Sequence, residues 1–374
     1  MLYRQLGRTG LKVSQLGFGA MRLPMHEVDG ENRVDREKAI PMIHKAFEGG
    51  VNYIDSAVGY CNKDSQRAVG DALKGWRDKI VVSTKNHYYG ESEKDWWQNL
   101  EDSLRRLQVD YIDVYNHHGL RTQRWEENVK PLMSKWMQKA KDQGLIKHIC
   151  FSMHDNSEFL KRMADEGYAD VVTLQYNMLD RSLEDGIAYA AEKGMGIVVM
   201  GPVAGGRLGE NTEALLSLHP EIKRVPELAL RFVLSNPNVS VALSGMSTMQ
   251  HVEENLEVAS KPADLTEDDM KVIEEQLARL KKLEELYCTG CGYCVPCPSG
   301  VDIPRVFNQY NRGRVYGLWS HAQGPYNRFM NGDPEKRWDA ALCTECGVCE
   351  DKCPQNIPIR EQLKEAHAKL VKAE

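Results

Sequence analysis

No apolar run in this 374-residue chain approaches the ~20 residues of a membrane-spanning helix, which argues against membrane insertion. Met1-Leu2-Tyr3-Arg4 begins no apolar leader, and the expected location is the cytoplasm. Positive charge is not in excess: 48 Lys and Arg against 54 Asp and Glu leave a net charge of −6. That balance argues against nucleic acid or an anionic membrane as partner. The Gly-x-Gly-x-x-Gly turn of a doubly wound dinucleotide domain is missing, because Gly17-Phe18-Gly19 does not complete it. Cysteine is scarce before position 288, where only Cys61 and Cys150 occur. The other eight of the ten lie between Cys288 and Cys353, and in a reducing compartment such clustering means metal rather than disulfides.

What the chain does contain is an alternation. Gly7 and Gly10 mark a small hairpin over residues 3–14. Beyond it, eight apolar strands are expected near 15–21, 51–55, 80–85, 111–115, 146–152, 170–175, 196–200 and 239–243. Helices are expected between them, near 35–48, 66–74, 93–107, 128–143, 156–166, 183–192 and 226–234, with another at 249–258. Eight strands alternating with helices over about 260 residues have the length and rhythm of a (β/α)8 TIM barrel. Residues 265–286 form one more charged amphipathic helix. Then Cys, Pro, Gly and Asn rise and the alternation stops, so the expected domains are a barrel over 1–284 and a small module over 285–374.

Three strand ends carry unusual residues: Asp55 with Tyr60 after the second strand, Lys85 ending the third, and His117-His118 ending the fourth. All fall on the C-terminal rim of the predicted barrel, where catalytic groups collect. A carbonyl that accepts hydride becomes an alkoxide and needs a proton donor. Tyrosine, with a pKa of about 10, is a poor donor near neutrality. A neighbouring ammonium from Lys85 is expected to lower that value, with Asp55 holding the lysine charged and a histidine aligning the carbonyl.

With these residues in view, the chain resembles the aldo-keto reductase family across roughly residues 1–285. The matching stretches are Leu6-Gly7-Arg8-Thr9-Gly10, Asn52-Tyr53-Ile54-Asp55, Tyr60, Ser83-Thr84-Lys85, Asp110-Tyr111-Ile112-Asp113-Val114-Tyr115, Gln175-Tyr176-Asn177 and Glu254-Asn255. The resemblance implies a catalytic tetrad of Asp55, Tyr60, Lys85 and His118. The family's histidine stands three positions after the strand tyrosine, which selects His118 over His117. It also implies a nicotinamide cofactor. Ser152 and Gln175 would face the carboxamide, although Met153 stands where an asparagine is usual and His154 is the candidate replacement. Met200 stands where an aromatic often stacks. Gly201 and Gly206 would let backbone amides approach the pyrophosphate, with Arg207 pairing it. Gly245, Ser247 and His251 would hold the adenosine end, with Glu254 and Asn255 near adenine. Many relatives clamp a 2′-phosphate with Lys or Arg where this chain has Gly245 and His251, so NADP(H) and NAD(H) both remain open. The loop 60–70 runs about two residues longer than the family's common form and places Cys61, read as a packing residue, beside the proposed acid.

The cysteines form two runs, Cys288-x2-Cys291-x2-Cys294-x2-Cys297-Pro298 and Cys343-x2-Cys346-x2-Cys349-x3-Cys353-Pro354. Three cysteines at intervals of three can serve one cubane, and a fourth before proline usually reaches the other cluster. The runs resemble a ferredoxin with two 4Fe–4S clusters. That implies Cys288, Cys291, Cys294 and Cys353 for one, and Cys343, Cys346, Cys349 and Cys297 for the other. Zinc is the competing metal, but quadruple runs ending in Cys-Pro fit its paired knuckles worse. Helices are expected over 301–316 and on toward 339, making the module mainly helical, with Trp319 and Trp338 in its core. A lysine-rich amphipathic helix closes the chain over 354–374.

The leading reading is an oxidoreductase that interconverts a small-molecule carbonyl and its alcohol with NAD(P)(H). The alternative is an electron-transfer or redox-sensing protein whose barrel binds nucleotide or a partner without fast turnover. A third reading is a barrel lyase or isomerase with Lys85 as base. Hydride moves two electrons and a cubane one, and no flavin signature bridges them. The clusters are therefore open to a structural role, a regulatory role, or contact with an electron-transfer protein.

Overall fold

The computed structural model describes residues 1–263, 265–285, 288, 292–353 and 357–372, excluding the side chains of 282–285. Packing divides the chain into two compact units, 1–206 with 227–265, and 207–226 with 266–374. This division does not coincide with the composition break near 284. The helix Glu267–Glu285 groups with the second unit, where Asp269 Oδ1 meets His219 Nε2 at 3.2 Å. Composition marks where the cysteine motifs begin, whereas packing follows the helix that precedes them.

The first unit is a closed barrel of eight parallel strands: Leu16–Gly19, Tyr53–Asp55, Val81–Asn86, Ile112–Leu120, Ile146–Met153, Val171–Gln175, Gly196–Met200 and Val241–Ser244. The last strand pairs back onto the first, with Ala242 opposite Leu16 and Leu243 opposite Gly17. All six residues of Val81–Asn86 are buried, as expected for parallel strands covered on both faces. Each predicted strand matches an observed one. The antiparallel hairpin Tyr3–Gln5 with Lys12–Ser14 is also present. Leu6 and Val13 join Tyr53, Val81, Val114, Cys150, Val171, Val198 and Val241 in one buried layer. The hairpin thus closes the N-terminal floor and leaves the C-terminal rim for chemistry.

That closure depends on Gly7. Its φ is +51, and an added Cβ would stand 2.3 Å from Gly196 N. Arg8 N donates to Gly194 O at 2.7 Å, holding the turn against the strand start. Gly7→Ala combines left-handed strain with a backbone clash. It is expected to cost about 2–4 kcal/mol in denaturant unfolding; a cost below roughly 0.5 kcal/mol would show that the floor is not clamped there.

Three features depart from the simple pattern. A hairpin, Met25–Val28 with Glu31–Val34, follows the first barrel strand and was not predicted. The helix expected over 128–143 starts as a π-helical stretch, Trp125–Met133, and continues as Ser134–Asp142. Pro131, which lacks an N–H, lies in the π stretch. Just after Tyr60, three consecutive non-glycine residues, Cys61, Asn62 and Lys63, hold φ of 49, 52 and 68. This left-handed turn is closed by Asp64 N donating to Cys61 O at 3.0 Å.

In the second unit the helices Ile303–Arg314, Trp319–Met330 and Ile359–Leu370 surround a core that includes Val306, Phe307, Tyr326, Trp338 and Leu363. Trp338 is buried in that core and Trp319 packs against it. No described helix is long and apolar enough to cross a membrane.

Candidate active site

Asp55 ends its strand and Lys85 lies on the neighbouring one, both buried inside the rim. Lys85 Nζ donates to Asp55 Oδ2 and to the Ser56 carbonyl at 2.8 Å. Ser83 Oγ donates to the other carboxylate oxygen, Asp55 Oδ1, at 2.8 Å. Ser83 lies two residues before Lys85 and so shares its face of the strand. Asn116 Nδ2 in turn donates to Ser83 Oγ at 3.2 Å. The buried ion pair is satisfied on both sides, the condition under which such a pair is tolerated.

Tyr60 sits above this pair, with Lys85 Nζ 4.9 Å from the centre of its ring. The His118 ring meets it edge-on, centroids 6.1 Å apart and planes at 85°. His117 faces elsewhere: it is buried, with Nε2 2.8 Å from the Tyr168 hydroxyl, and its ring stacks on that tyrosine. The two adjacent histidines therefore point to opposite sides of the strand, and only His118 reaches Tyr60.

Burial sets much of the electrostatics. It pulls the Lys85 ammonium down, but Asp55 and Tyr60 outweigh it and the pKa ends above its ordinary value. Burial raises the Tyr60 phenol; Lys85 lowers it, Asp55 raises it, and the net shift is upward. Lys85 does act to lower this phenol, but the expectation that it brings the pKa toward the working range is corrected, because the net shift is upward. The ammonium is largely matched by Asp55, and desolvation of the phenolate prevails. His118 is pushed down to about 4 by burial first, and then by the positive charges of Lys85, His87, His154 and Arg124. His118 is accordingly neutral at physiological pH and can both donate and accept a hydrogen bond.

The residues assigned to the cofactor are unevenly disposed. Ser152 is buried, and its Oγ accepts from Gly119 N at 2.9 Å. Met153 is fully buried and His154 exposed. Gln175 Nε2 donates to Asp180 Oδ2 at 3.2 Å. Gly201, Ala204, Gly205 and Gly206 all have positive φ, and Asn177 Nδ2 anchors the turn by donating to Gly201 O at 3.1 Å. Within it Ala204 N donates to Gly201 O at 2.8 Å and Gly206 N to Val203 O at 2.9 Å, so these two amides are engaged by the turn itself. Arg207 begins the second unit.

At the adenosine end, Thr248 caps the helix Met249–Ala259 by accepting from His251 N, and Ser247 N donates to His251 Nδ1 at 3.4 Å. Glu254 accepts from Gln250 Nε2 at 2.9 Å. Asn255 turns inward instead, its Nδ2 donating to Ser244 Oγ at 2.9 Å. Sequence reasoning missed Arg22, which donates to Gly205 O at 3.1 Å and runs alongside Gly245. Nothing in its spacing marks it; it follows the first barrel strand by three residues, and closure pairs that strand with the last, whose following loop commonly holds phosphate.

In the second unit Cys294, Cys297, Cys343, Cys346 and Cys349 line one cavity with Ile303, Gly347 and Leu363. Four of these are the set expected for one cubane. Positive φ at Glu345 and Gly347 lets the chain turn around it, and Glu345 N donates to Cys343 Sγ at 3.4 Å. Cys288, Cys294 and Cys353 pack against the same helical core; Cys291 lies outside the described residues. Among the described residues no three metal-ligating side chains are arranged to hold a single ion. A cubane spreads four thiolates around a larger body, and the cysteine-lined cavity fits that requirement.

Residues 15–278 match the family model for the aldo/keto reductase family, and residues 287–357 match that for the 4Fe-4S dicluster domain. L-galactose dehydrogenase of Arabidopsis thaliana is 29% identical over 310 residues, covering 76% of this chain and 95% of that protein. The NADH-specific methylglyoxal reductase of Escherichia coli is 25% identical over 335 residues, covering 74% and 98%. Among solved structures, the holo form of an aldo-keto reductase from Bacillus halodurans superposes with a TM-score of 0.64. It is 29% identical and covers 74% of this chain and 96% of its own.

Proposed function

The chain belongs to the aldo/keto reductase family, and on that premise we propose that it interconverts an aldehyde or ketone and its alcohol with NADP(H) or NAD(H). The reading is carried by one observation: the buried Asp55–Lys85 pair beneath Tyr60, with a neutral His118 at its edge. The nicotinamide would supply or accept the hydride. Tyr60 then gives its proton to the alkoxide oxygen, which is far more basic than a phenolate. Lys85 stabilises the phenolate that remains, and Asp55 keeps Lys85 charged and aimed. His118 orients the carbonyl by a hydrogen bond. Ser152, Gln175, the turn at Gly201–Gly206, Gly245, Ser247, His251 and Glu254 would line the nucleotide, with Arg22 joining them and Arg207 retained for the pyrophosphate. Asn255 would act indirectly, by holding the strand end at Ser244. We assign residues 1–284 to the reductase barrel and 285–374 to the iron–sulfur domain, with two 4Fe–4S clusters on the cysteine sets given above.

The pH dependence tests this assignment. Reduction requires Tyr60 protonated. Its pKa lies above the ordinary value of about 10, so the protonated form is complete through neutrality and is lost only as pH rises through that pKa. His118, pushed down to about 4, does not titrate between about pH 6 and 9. The kcat/KM for carbonyl reduction is therefore expected to be level over that range and to fall above it; alcohol oxidation, which needs the phenolate, should climb instead. A clear inflection near pH 6.5 in reduction would shift the acid role to a histidine. Fluorescence titration with NADH and NADPH gives the independent check, and failure of both nucleotides to bind would remove the reading.

A further inference from the structure

The rim carries a second device, which the proton-transfer chemistry does not use. After His118 the strand bulges at Gly119, with φ +71, and Arg124 follows just before the π-helical stretch Trp125–Met133. Its side chain folds back onto the bulge. Nη1 donates to Gly119 O at 2.8 Å and to His118 O at 3.4 Å. Its guanidinium carbon lies 4.4 Å from the centre of the Tyr89 ring, and the Tyr89 hydroxyl donates to His118 O at 3.1 Å. The guanidinium is thus pinned by two carbonyls and a ring face against the backbone of the histidine that meets Tyr60.

None of these contacts is a carboxylate. Acidic residues outnumber basic ones in this chain, and several tethered arginines use them: Arg36 pairs with Asp64, Arg77 with Asp113, Arg337 with Asp339 and Arg360 with Glu350. Arg4, like Arg124, is held by backbone carbonyls, those of Leu234, Asn236 and Val239, but it lies away from the rim. Acids around it are otherwise engaged: Glu126 pairs with Arg162 and Glu127 accepts from Gln123. Asp55 is buried against Lys85. Asp155 accepts from Thr122 N and Oγ1 and from Asn156 N. Lys85 is matched by Asp55, and burial lowers the His87 and His154 imidazoles, which leaves them neutral at physiological pH. The positive charge at the mouth above Tyr60 is therefore supplied by the fixed and exposed Arg124 guanidinium.

We propose that the substrate is a carbonyl compound bearing an acidic group, a carboxylate or a phosphate, which Arg124 binds while the carbonyl faces Tyr60 and His118. An arginine fork pairs with such a group through charge-assisted hydrogen bonds and fixes the orientation of what it holds. The acidic group takes no part in the chemistry. Hydride goes to the carbonyl carbon, the Tyr60 proton goes to the oxygen, and the phenol regains its proton from solvent. This inference rests on the carbonyl-reductase reading.

The test compares 4-carboxybenzaldehyde with its neutral methyl ester, and glyceraldehyde 3-phosphate with glyceraldehyde, using the full protein with its clusters. The acidic member of at least one pair is expected to have a kcat/KM roughly 10- to 100-fold higher, mostly through KM. Which pair shows the difference tells carboxylate from phosphate. Arg124→Gln should bring that ratio close to one, and Arg124→Lys, which keeps charge but loses the fork, should recover part of it. On the unaltered protein, benzoate should compete with the aldehyde while benzamide does not, and added salt should raise KM for the acid alone. Equal turnover within both pairs, or an Arg124→Gln variant that loses both members of a pair by the same factor, overturns the inference and leaves the reductase standing. Turnover of none of the four, with NAD(P)H bound, overturns the reductase reading and the inference with it.

Discussion

Tyr60→Phe is expected to lower kcat/KM for carbonyl reduction by roughly 10²- to 10⁴-fold, the usual worth of a positioned general acid, while nucleotide affinity changes less than about twofold. The substitution removes one oxygen and keeps the ring. The ring's contacts with Lys85 at 4.9 Å and with His118 at 6.1 Å depend on carbon positions that phenylalanine retains. Lys85 is not orphaned by the change, because Asp55 and the Ser56 carbonyl remain its partners. A large loss would therefore report the missing proton and not a collapsed site. No neighbour can take over: His118, pushed down to about 4, carries no spare proton at neutral pH, and Lys85, raised and buried, holds its proton firmly. Single-turnover measurement of hydride transfer with saturating cofactor isolates the step. Near-normal rates would mean that the proton reaches the alkoxide by another route, and the acid assignment would fall.

The barrel was legible because its strands are apolar runs buried on both faces and its helices keep a regular amphipathic period. Asp55, Lys85 and the pair His117-His118 could be placed on the rim for the same reason: each lies at or just past an expected strand end, and the register of a closed barrel puts strand ends on one rim. The choice of His118 within the pair comes from the family resemblance and not from spacing. Contacts made by loops were less legible. Arg124 reaches back to the carbonyls of His118 and Gly119 beside a strand bulge, and Arg22 reaches Gly205 across nearly half the chain. Neither approach leaves a spacing signal. The hairpin around Asp29-Gly30 did carry one, an Asp-Gly pair with φ of 53 and 78, a common hairpin dipeptide. Its strands read Met-His-Glu-Val and Glu-Asn-Arg-Val, too polar to register as apolar periodicity. The Tyr60 phenol shows a further limit. Which charges surround it was readable, but the depth of its burial was not, and burial sets the direction of the shift.

The second large effect concerns the cysteine cavity. Cys349 lies on the short helix Val348–Asp351 and is 8% exposed. It shares the cavity with Cys297, Cys343 and Cys346. Cys349→Ser replaces a soft thiolate with a hydroxyl that stays protonated at neutral pH and binds iron poorly. One cluster is expected to be lost outright: iron and acid-labile sulfide should drop by about four each per chain, with a matching loss of the broad visible absorption. Because Cys297 and Cys343 pack directly on the helical core of this unit, losing the cluster also removes a stabilising ligand, and thermal unfolding should shift downward. Carbonyl reduction is expected to survive. Hydride carries two electrons and a cubane accepts one, so turnover from NAD(P)H to a carbonyl passes through Tyr60 without an iron step. Purified Cys349→Ser protein should retain kcat/KM for aldehyde within about tenfold of the parent. Complete loss of reduction with NAD(P)H still bound would place the cluster in the catalytic path, and full iron and sulfide content would show that Cys349 is not a ligand.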